Sequence, residues 1–175
     1  ENNFFYSDTT DNIALINTFR NKWTNKNIDS LKAGFNILCT DSLSFKGKFA
    51  ELMFFDEPLE RREVDKVHTY LAIKYGISTL TRNYLNSNDS IIWNYKANEN
   101  YSSRIAGIGR DSILGINQKK ASANAGQDKL EIYAGQKHQY NDSNSYNINQ
   151  HDFLIWSDNG EDLVFSTTDT TDPLL

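Results

Sequence analysis

The chain has 175 residues, a formal net charge of -5 at pH 7 and 13% aromatic residues. The acidic balance argues against nucleic acid as a partner, because phosphate binding requires a basic surface. The single cysteine, Cys39, excludes an internal disulfide and a zinc site built on several cysteines, and no stretch is long and apolar enough to predict a membrane-spanning helix.

Residues 1–57 have the pattern of short strands, with polar turn residues between apolar runs. The run GFNILCTD (34–41) alternates apolar and polar positions, whereas KFAELMFFDE (48–57) is apolar on both faces. A strand that is apolar on both faces is typical of the middle of a packed structure. We therefore expect β structure over 1–57. Because Glu1 is not an initiator methionine, we also expect a processed or excised segment of a longer protein.

The segment LERREVDKVHTYLAIKYGI (59–77) predicts a long amphipathic helix. One apolar stripe has spacings of three, four and four residues: Val64, Val67, Leu71 and Tyr75. The helix begins either at Pro58, which suits a first turn, or at Glu60, which forms a capping-box-like pair with Glu63. Gly76 is typical of a left-handed helix end. We predict that the stripe packs on the preceding strand and that Gly76 leads into the next domain, so the helix 58–77 is a structural joint.

After residue 80 the β pattern returns and predicts a second β domain over 80–175. Five segments have strand character: SIIWNY (90–95), RIAGIG (104–109), KLEIYAG (129–135), DFLIWSD (152–158) and DLVFSTT (162–168). The polar, Asn-rich segment 135–150 predicts an exposed loop. The predicted fold class is mainly β: the end of a lectin-like jelly-roll β-sandwich, one amphipathic α-helix, and a second β-sandwich-like region.

Catalytic and phosphate-binding motifs are absent from the sequence. The three histidines have no metal-ligand spacing, and surface or loop positions are the expected ones for His68, His138 and His151. The run GIGRD (107–111) lacks the third glycine of a dinucleotide fingerprint. Its simplest interpretation is a tight turn with a local ion pair between Arg110 and Asp111.

Three further features of the sequence concern cation binding, sugar hydrolysis and sugar binding. The segment SDNGED (157–162) offers Asp158, Asn159 and Asp162 to a hard cation such as calcium, although a β-turn centred on Asn159-Gly160 is the favoured interpretation. Glu51 lies between apolar neighbours and is the candidate acid of a sugar hydrolase, but no second carboxylate partner is evident. Four tyrosines would stack on sugars if exposed: Tyr95, Tyr101, Tyr140 and Tyr146.

Two consecutive motifs resemble segments of large surface proteins of the Bacteroidetes type. The run 47–77 is similar to the last strand and following helix of concanavalin A-like (laminin G-like, LamG) jelly-roll modules. Its matching positions are Gly47, Ala50, Glu51, Leu59, Glu63, Lys66, Val67, Tyr70, Leu71, Ala72, Lys74, Tyr75, Gly76 and Ile77. The run 91–123 resembles the region that follows this helix in the same proteins. Its matching positions are Trp93, Asn98, Tyr101, Ile105, Gly107, Ile108, Gly109, Arg110, Asp111, Asn117, Gln118 and Lys119.

The resemblance implies an architecture and a location. It implies that 1–57 is the end of a LamG jelly roll, shorter than a whole one, that 58–77 is a connecting helix packed on it, and that 80–175 is a second β domain. It also implies a secreted, outer-membrane-attached cell-surface protein like the gliding-motility adhesins, exported by type IX secretion and in contact with secretion-system components. Carbohydrate binding is commonly supposed for such jelly rolls, and the family supplies no catalytic motif.

The predicted function is therefore a non-catalytic adhesin module that binds a polysaccharide or a solid surface, with calcium as the candidate cofactor. Its other partners would be further domains of a longer parent chain. Nucleic-acid binding and direct membrane insertion are not expected. Two alternatives stay open: a glycoside hydrolase domain that uses Glu51, and a purely structural spacer in a surface filament.

Overall fold

The computed structural model describes residues 39–40, 43–44, 50–53, 55, 57–79, 81–123 and 130–161. The chain forms two compact units: one consists of Glu1–Asn17 with Glu60–Leu175, and the other of Thr18–Leu59. The predicted strand 162–168 and most of the predicted strand 34–41 lie outside the described residues.

In the unit Thr18–Leu59, Cys39–Thr40 (β1) pairs antiparallel with Leu43–Ser44 (β2). The prediction of a strand over 48–57 is wrong for its described residues 50–53 and 55, which have no strand hydrogen bonding. Apolar patterning makes a strand only where a neighbouring strand supplies backbone partners, and among the described residues none does so. Leu52 and Phe55 remain 46% and 49% exposed.

The α-helix of the described residues is Arg61–Tyr75 (α1), within the limits expected from the sequence. At its start, the backbone N–H of Glu60 donates to Oε2 of Glu63 at 2.7 Å, which is one half of a capping box. At its end, Gly76 has φ 63° and ψ 37°, a left-handed conformation in which glycine has no Cβ to clash. The helix boundaries therefore follow from local sequence chemistry.

The most deeply buried face of α1 is different from the apolar stripe. Its buried residues are His68, Thr69, Ala72 and Ile73, whereas the stripe residues are all half-buried: Val64, Val67, Leu71 and Tyr75. At 3.6 residues per turn, the two faces are separated by about 120° around the helix. The Thr69 hydroxyl donates to the Asp65 carbonyl at 2.9 Å and accepts the Leu85 N–H at 2.8 Å, which fixes the helix to the β region after it. Packing of the stripe on residues 1–57 stays a prediction.

A short hairpin follows the helix, formed by Tyr84–Leu85 (β3) and Ile91–Trp93 (β4) with an irregularity in register between the two β3 residues. The Tyr84 side chain is 1% exposed. Its hydroxyl donates to the Ile77 carbonyl and accepts the Thr79 N–H, both at 3.2 Å. Burial raises the pKa of Tyr84, against the opposing effect of the hydrogen bonds to Thr79. This side chain closes the core beneath the end of α1.

After the 3-10 helix Glu99–Tyr101, the remaining strands are Ser103–Asp111 (β5), Ile116–Gln118 (β6), Lys120–Ser122 (β7), Glu131–Tyr133 (β8) and Phe153–Asp158 (β9). An antiparallel sheet has the order β6-β5-β9, and β7 pairs separately with β8. Since successive strand residues point to opposite faces, β5 contributes to two apolar clusters. One cluster contains Ala72, Ile73, Tyr84, Ile105 and Ile116. The other contains Ala106, Ile108, Ala121, Ala123 and Ala134. The sheet thus lies between α1 with β3 on one side and β7–β8 on the other.

The segment GIGRD lies inside β5, so the prediction of a tight turn there is wrong. A Cβ on Gly109 would lie 2.2 Å from Cδ1 of Phe153, and a Cβ on Gly107 would lie 2.9 Å from Cγ1 of Ile155. The two glycines are therefore required by the close packing of β9 side chains against β5.

The predicted ion pair between Arg110 and Asp111 is also wrong. As neighbours on a strand, the two side chains point to opposite faces of the sheet. Arg110 Nη1 donates to Oδ1 of Asn147 at 3.0 Å, whereas the carboxylate of Asp111 accepts a backbone N–H from Ser87 at 2.7 Å.

The fold is mainly β with one α-helix among the residues that the structure describes, as the sequence predicts. The strands predicted over 90–95, 104–109, 129–135 and 152–158 are confirmed by β4, β5, β8 and β9. Segment 135–150 forms neither helix nor strand, although Asn144 within it is 2% exposed. Within the described ranges, no helix has the length and apolar character needed to span a membrane.

Candidate functional site

A groove lies along the C-terminal half of α1, between the helix, strands β6 and β7, and the segment 139–141. It has a volume of about 410 Å³, and we call it the helix groove. A smaller concavity of about 210 Å³ shares part of its border. The helix groove is lined by two tyrosines, three amides and two lysines, together with small and apolar side chains; the larger polar members are Tyr75, Tyr140, Gln118, Gln139, Asn141, Lys74 and Lys120. A concave surface on which several polar groups converge is a candidate ligand site.

Hydrogen bonds from the amide of Asn141 fix the rim of the helix groove. Its Oδ1 accepts the backbone N–H of Lys119 at 2.5 Å, and its Nδ2 donates to the carbonyl of Asn117 at 2.7 Å. Further along the same segment, Nδ2 of the buried Asn144 donates to the carbonyl of Ala134 at 2.8 Å. These contacts hold the rim before any ligand arrives, which lowers the ordering cost of binding.

Aromatic rings and a cation lie side by side in this region. The Tyr140 side chain is 66% exposed, and its hydroxyl accepts a hydrogen bond from Nε2 of Gln139 at 3.1 Å. Lys74 Nζ lies 4.8 Å from the ring centroid of Tyr70 and 5.4 Å from that of Tyr75. The helix groove therefore combines aromatic faces with amide donors and acceptors, a set that can bind a ligand having both apolar faces and hydroxyl groups.

A second polar region lies where three loops meet, and we call it the loop junction: residues 86–90, 111–114 and 149–151. Its centre is the carboxylate of Asp111, which is fully buried. Oδ2 accepts the N–H of Ser87 at 2.7 Å, and Oδ1 accepts the N–H groups of Ile113 at 3.2 Å and Leu114 at 3.3 Å. Nε2 of Gln150 also donates to Oδ1 at 3.3 Å. One carboxylate thus satisfies donors from all three loops.

The electrostatics of Asp111 favour its charged form. Burial raises the pKa of Asp111, but hydrogen bonds from Ser87 and Leu114 and the nearby charge of His151 lower it, and the net pKa lies below its ordinary value. Hydrogen bonds to an ionised carboxylate are the stronger class, which explains why they outweigh the burial.

The helix is also connected to the loop junction. Lys66 Nζ donates to the carbonyl of Ser87 at 3.0 Å and lies 2.9 Å from Oδ1 of Asp89. Asp89 and His151 both have left-handed backbones, with φ of 62° and 66°. Such conformations are costly for non-glycine residues and persist where surrounding contacts enforce them.

The loop junction brings together serine, histidine and aspartate, but not in a catalytic arrangement. Nε2 of His151 lies 2.9 Å from Oγ of Ser87 and 3.9 Å from Oδ2 of Asp111, while Nδ1 lies 3.3 Å from Nδ2 of Asn88. Nε2 of Gln150 also lies 3.2 Å from Nε2 of His151, so the hydroxyl, the carboxylate and an amide all lie at the same ring nitrogen, while among the described contacts Nδ1 faces an amide and no carboxylate. A catalytic triad requires the carboxylate at Nδ1 and a free Nε2 facing the hydroxyl. The contacts of His151 are therefore those of a structural network.

The residues predicted to bind a cation have other partners where the structure describes them. Oδ2 of Asp158 accepts Nε of Arg104 at 2.5 Å, and Oδ1 accepts the N–H of Gly160 at 2.8 Å. Oδ1 of Asn159 accepts the N–H of Glu161 at 3.1 Å. These are the contacts of a turn, and Gly160 has a φ of 81°. Asp162 lies outside the described residues, so the calcium site stays a prediction.

The histidines are separated from one another, and His68 corrects the expectation of surface or loop positions. It is 8% exposed on the buried face of α1, because its position in the helix places it beside Thr69 and Ala72. Burial and the charge of Arg82 lower the pKa of His68, whereas Asp65 raises it. Across the described ranges, no group of three or more His, Cys, Asp or Glu residues is arranged to hold a metal ion.

Of the tyrosines considered for sugar stacking, Tyr140 lies in the helix groove. Tyr101 and Tyr146 are exposed elsewhere, and Tyr95 is half-buried. Glu51 is half-buried in the unit Thr18–Leu59, and its role as an acid stays a prediction. The amides and lysines of the groove come from three separate segments, so no local pattern in the sequence marks them as a set. The one available signal was the mixture of amides, lysine and tyrosine in 135–150.

Comparison with known protein families gives one match. Residues 63–174 match a family model described as a domain of unknown function (DUF8202), and the chain belongs to this family. The matched region begins inside α1, so the helix and the following β region fall within the same family domain. No curated protein and no solved structure matches the chain.

Proposed function

We propose that this DUF8202 chain is a non-catalytic module of a secreted cell-surface adhesin and that it binds polysaccharide. The observation that carries the proposal is the helix groove, in which the exposed ring of Tyr140 lies beside the amides of Gln118 and Gln139. The C–H face of a sugar ring packs on an aromatic face, and its hydroxyl groups pair with amides that both donate and accept. The volume of about 410 Å³ lies in the range of ligand sites, roughly 300–1,000 Å³.

The proposal includes the architecture that the family resemblance implies. Residues 1–57 are the end of a LamG jelly roll, 80–175 form a second β-sandwich-like domain, and α1 joins the two. Its support from the structure is that α1 has apolar residues on two sides: the buried face and the half-buried stripe that includes Val64 and Val67. A helix with two apolar sides is suited to packing on two partners.

The same proposal covers location and partners. The module acts at the outer-membrane surface as part of a longer chain exported by type IX secretion, and it contributes to adhesion or gliding motility. Its partners are polysaccharide, neighbouring domains of the parent chain and components of the secretion system, with calcium at the 157–162 turn as the candidate cofactor. Support for a non-catalytic role comes from the loop junction, where the carboxylate of Asp111 lies at Nε2 of His151 and not at Nδ1, so it does not orient the imidazole toward Ser87 as in a catalytic triad.

The test is binding of the whole chain to a panel of insoluble and soluble polysaccharides, with and without a calcium chelator. We expect at least one polymer to bind and Tyr140→Ala to weaken that binding about tenfold, which corresponds to roughly 1.4 kcal/mol for one stacked ring. Tyr101→Ala is the matched control, because Tyr101 is 59% exposed and does not line the groove. Absence of binding to every polymer, or equal losses in the two variants, would contradict the proposal. Loss of binding on chelation would show that binding requires calcium.

A further inference from the structure

The charge of the helix groove differs from that of the chain as a whole. The chain carries a net charge of -5, whereas the groove is lined by Lys74 and Lys120 and its described lining contains no Asp or Glu. We propose that the helix groove selects acidic polysaccharides, which carry a carboxylate or a sulfate ester on the sugar ring. This inference rests on the polysaccharide binding proposed above and specifies its chemical class.

Lys74 places a cation next to the aromatic surfaces of the site. It lies in the last turn of α1, is exposed, and has its Nζ within 4.8 Å and 5.4 Å of the ring centroids of Tyr70 and Tyr75. A sugar ring that stacks in the groove would therefore bring an attached acidic group within reach of this ammonium. Charge-assisted hydrogen bonds of this kind are stronger than neutral ones.

Lys120 supplies a second cation, and the nearest carboxylate neutralises it only in part. Lys120 Nζ lies 3.1 Å from Oε2 of Glu131, and Nζ of Lys137 lies 3.1 Å from Oε1 of the same residue. Hydrogen bonds to Lys120 and Lys137 lower the pKa of Glu131, so this carboxylate is ionised near neutral pH. Lys120, Lys137 and Glu131 together carry one net positive charge. Of the three residues, Lys120 lines the groove.

The smaller concavity beside the groove has a different character. Its lining includes Asp142, and it shares Lys74 with the helix groove. The carboxylate of Asp142 repels an acidic substituent, since like charges are disfavoured at short range. The acidic group of the ligand is therefore expected in the helix groove, which both Lys74 and Lys120 line, and the neutral hydroxyl groups at the Asp142 end.

The experiment measures binding of the whole chain to four soluble polymers: polygalacturonate, dextran sulfate, neutral dextran and polyglutamate. We expect polygalacturonate, dextran sulfate or both to bind at least tenfold more tightly than dextran and polyglutamate, and to weaken when NaCl is raised from about 50 to 300 mM. Binding to only one of the acidic polysaccharides would identify the source of the charge as carboxylate or sulfate.

Each contrary result overturns a different part of the account. Dextran binding as tight as that of the acidic polysaccharides would overturn the charge selection and leave polysaccharide binding standing. If polyglutamate bound as tightly as polygalacturonate, the chain would bind polyanions in general, and the requirement for a sugar would be overturned. Absence of binding to all four polymers would overturn the acidic selection, and the wider panel described above would then decide whether a neutral polysaccharide is the ligand.

A pair of variants tests the position of the cation. Lys120→Gln should weaken binding to the preferred acidic polysaccharide by about tenfold, the effect of losing one charged contact. Lys137→Gln is the matched control, because Lys137 contacts the same carboxylate at the same distance but lies outside the groove lining. It should change binding by less than about twofold. Equal losses in both variants, with unchanged thermal unfolding, would overturn the assignment of the acidic group to the groove.

Discussion

The helix groove and the loop junction use similar polar residues for opposite purposes. In the loop junction, the carboxylate of Asp111 is fully buried and accepts hydrogen bonds from four N–H groups. In the helix groove, Asn141 holds the rim, whereas the ring of Tyr140 is 66% exposed. A cluster of polar side chains is therefore a functional candidate only where its groups face open space. Polar groups that satisfy one another stabilise the fold.

Removal of Asp111 should have the largest effect on stability. Asp111→Ala removes a fully buried carboxylate and leaves four partly buried N–H donors without this acceptor, and we expect a loss of about 3 kcal/mol in the free energy of unfolding. Urea unfolding measures this loss. Asp152→Ala is a control at an exposed position whose carboxylate accepts only the side chain of Asn149 among the described contacts, and it should cost less than about 1 kcal/mol. Similar losses in both variants would contradict the structural role of the junction.

A low pH should remove part of the stability that Asp111 contributes. The net pKa of Asp111 lies below its ordinary value of 3.8, so the folded protein favours the ionised carboxylate. The stability that the ionised carboxylate contributes is fully present at pH values above the ordinary pKa. It is lost as the pH falls through the lower pKa of the folded state. We therefore expect the stability difference between the wild type and Asp111→Asn to be larger at pH 7 than at pH 3. A difference that does not change with pH would show that ionisation of Asp111 contributes nothing.

Substitution of Ser87 should have the smallest effect. Ser87→Ala removes the 2.9 Å contact with His151 and the side-chain hydrogen bond to Asp111 but keeps the backbone N–H that donates to Asp111, so we expect a loss of about 1 kcal/mol. Hydrolysis of a chromogenic ester should stay at the uncatalysed rate in both the wild type and the variant. Hydrolysis by the wild type that disappears in Ser87→Ala would show that the junction is an active site.

Local chemistry explains which parts of the fold the sequence predicts. The limits of α1 follow from Glu63 and Gly76, whose roles depend on neighbours within a few residues. Strands β4, β5, β8 and β9 lie in segments with a clear apolar pattern. Strands β3, β6 and β7 have only two or three residues each, which is too short for an apolar pattern to identify them.

Long-range packing explains the predictions that were wrong. The G-x-G of GIGRD suggested a turn, but Phe153 and Ile155 on β9 require small residues at these positions of a strand. The most buried face of α1 contains His68 and Thr69, which no apolar pattern could identify, because the Thr69 hydroxyl accepts a backbone N–H from β3. The helix groove could not be predicted for the same reason, because it consists of three segments that only the fold brings together. Of its residues, the sequence indicated only Tyr140 as a sugar contact.

The most direct test of the contrast between the two regions is a backbone-amide NMR titration of the whole chain with an oligogalacturonate of defined length. We expect chemical-shift changes for amides that line the helix groove, at Gln118, Lys120–Ser122 and Gln139–Asn141. The amides of Ser87, Asn88 and His151 in the loop junction should not change. Shift changes confined to the loop junction, with the helix groove unaffected, would contradict the account.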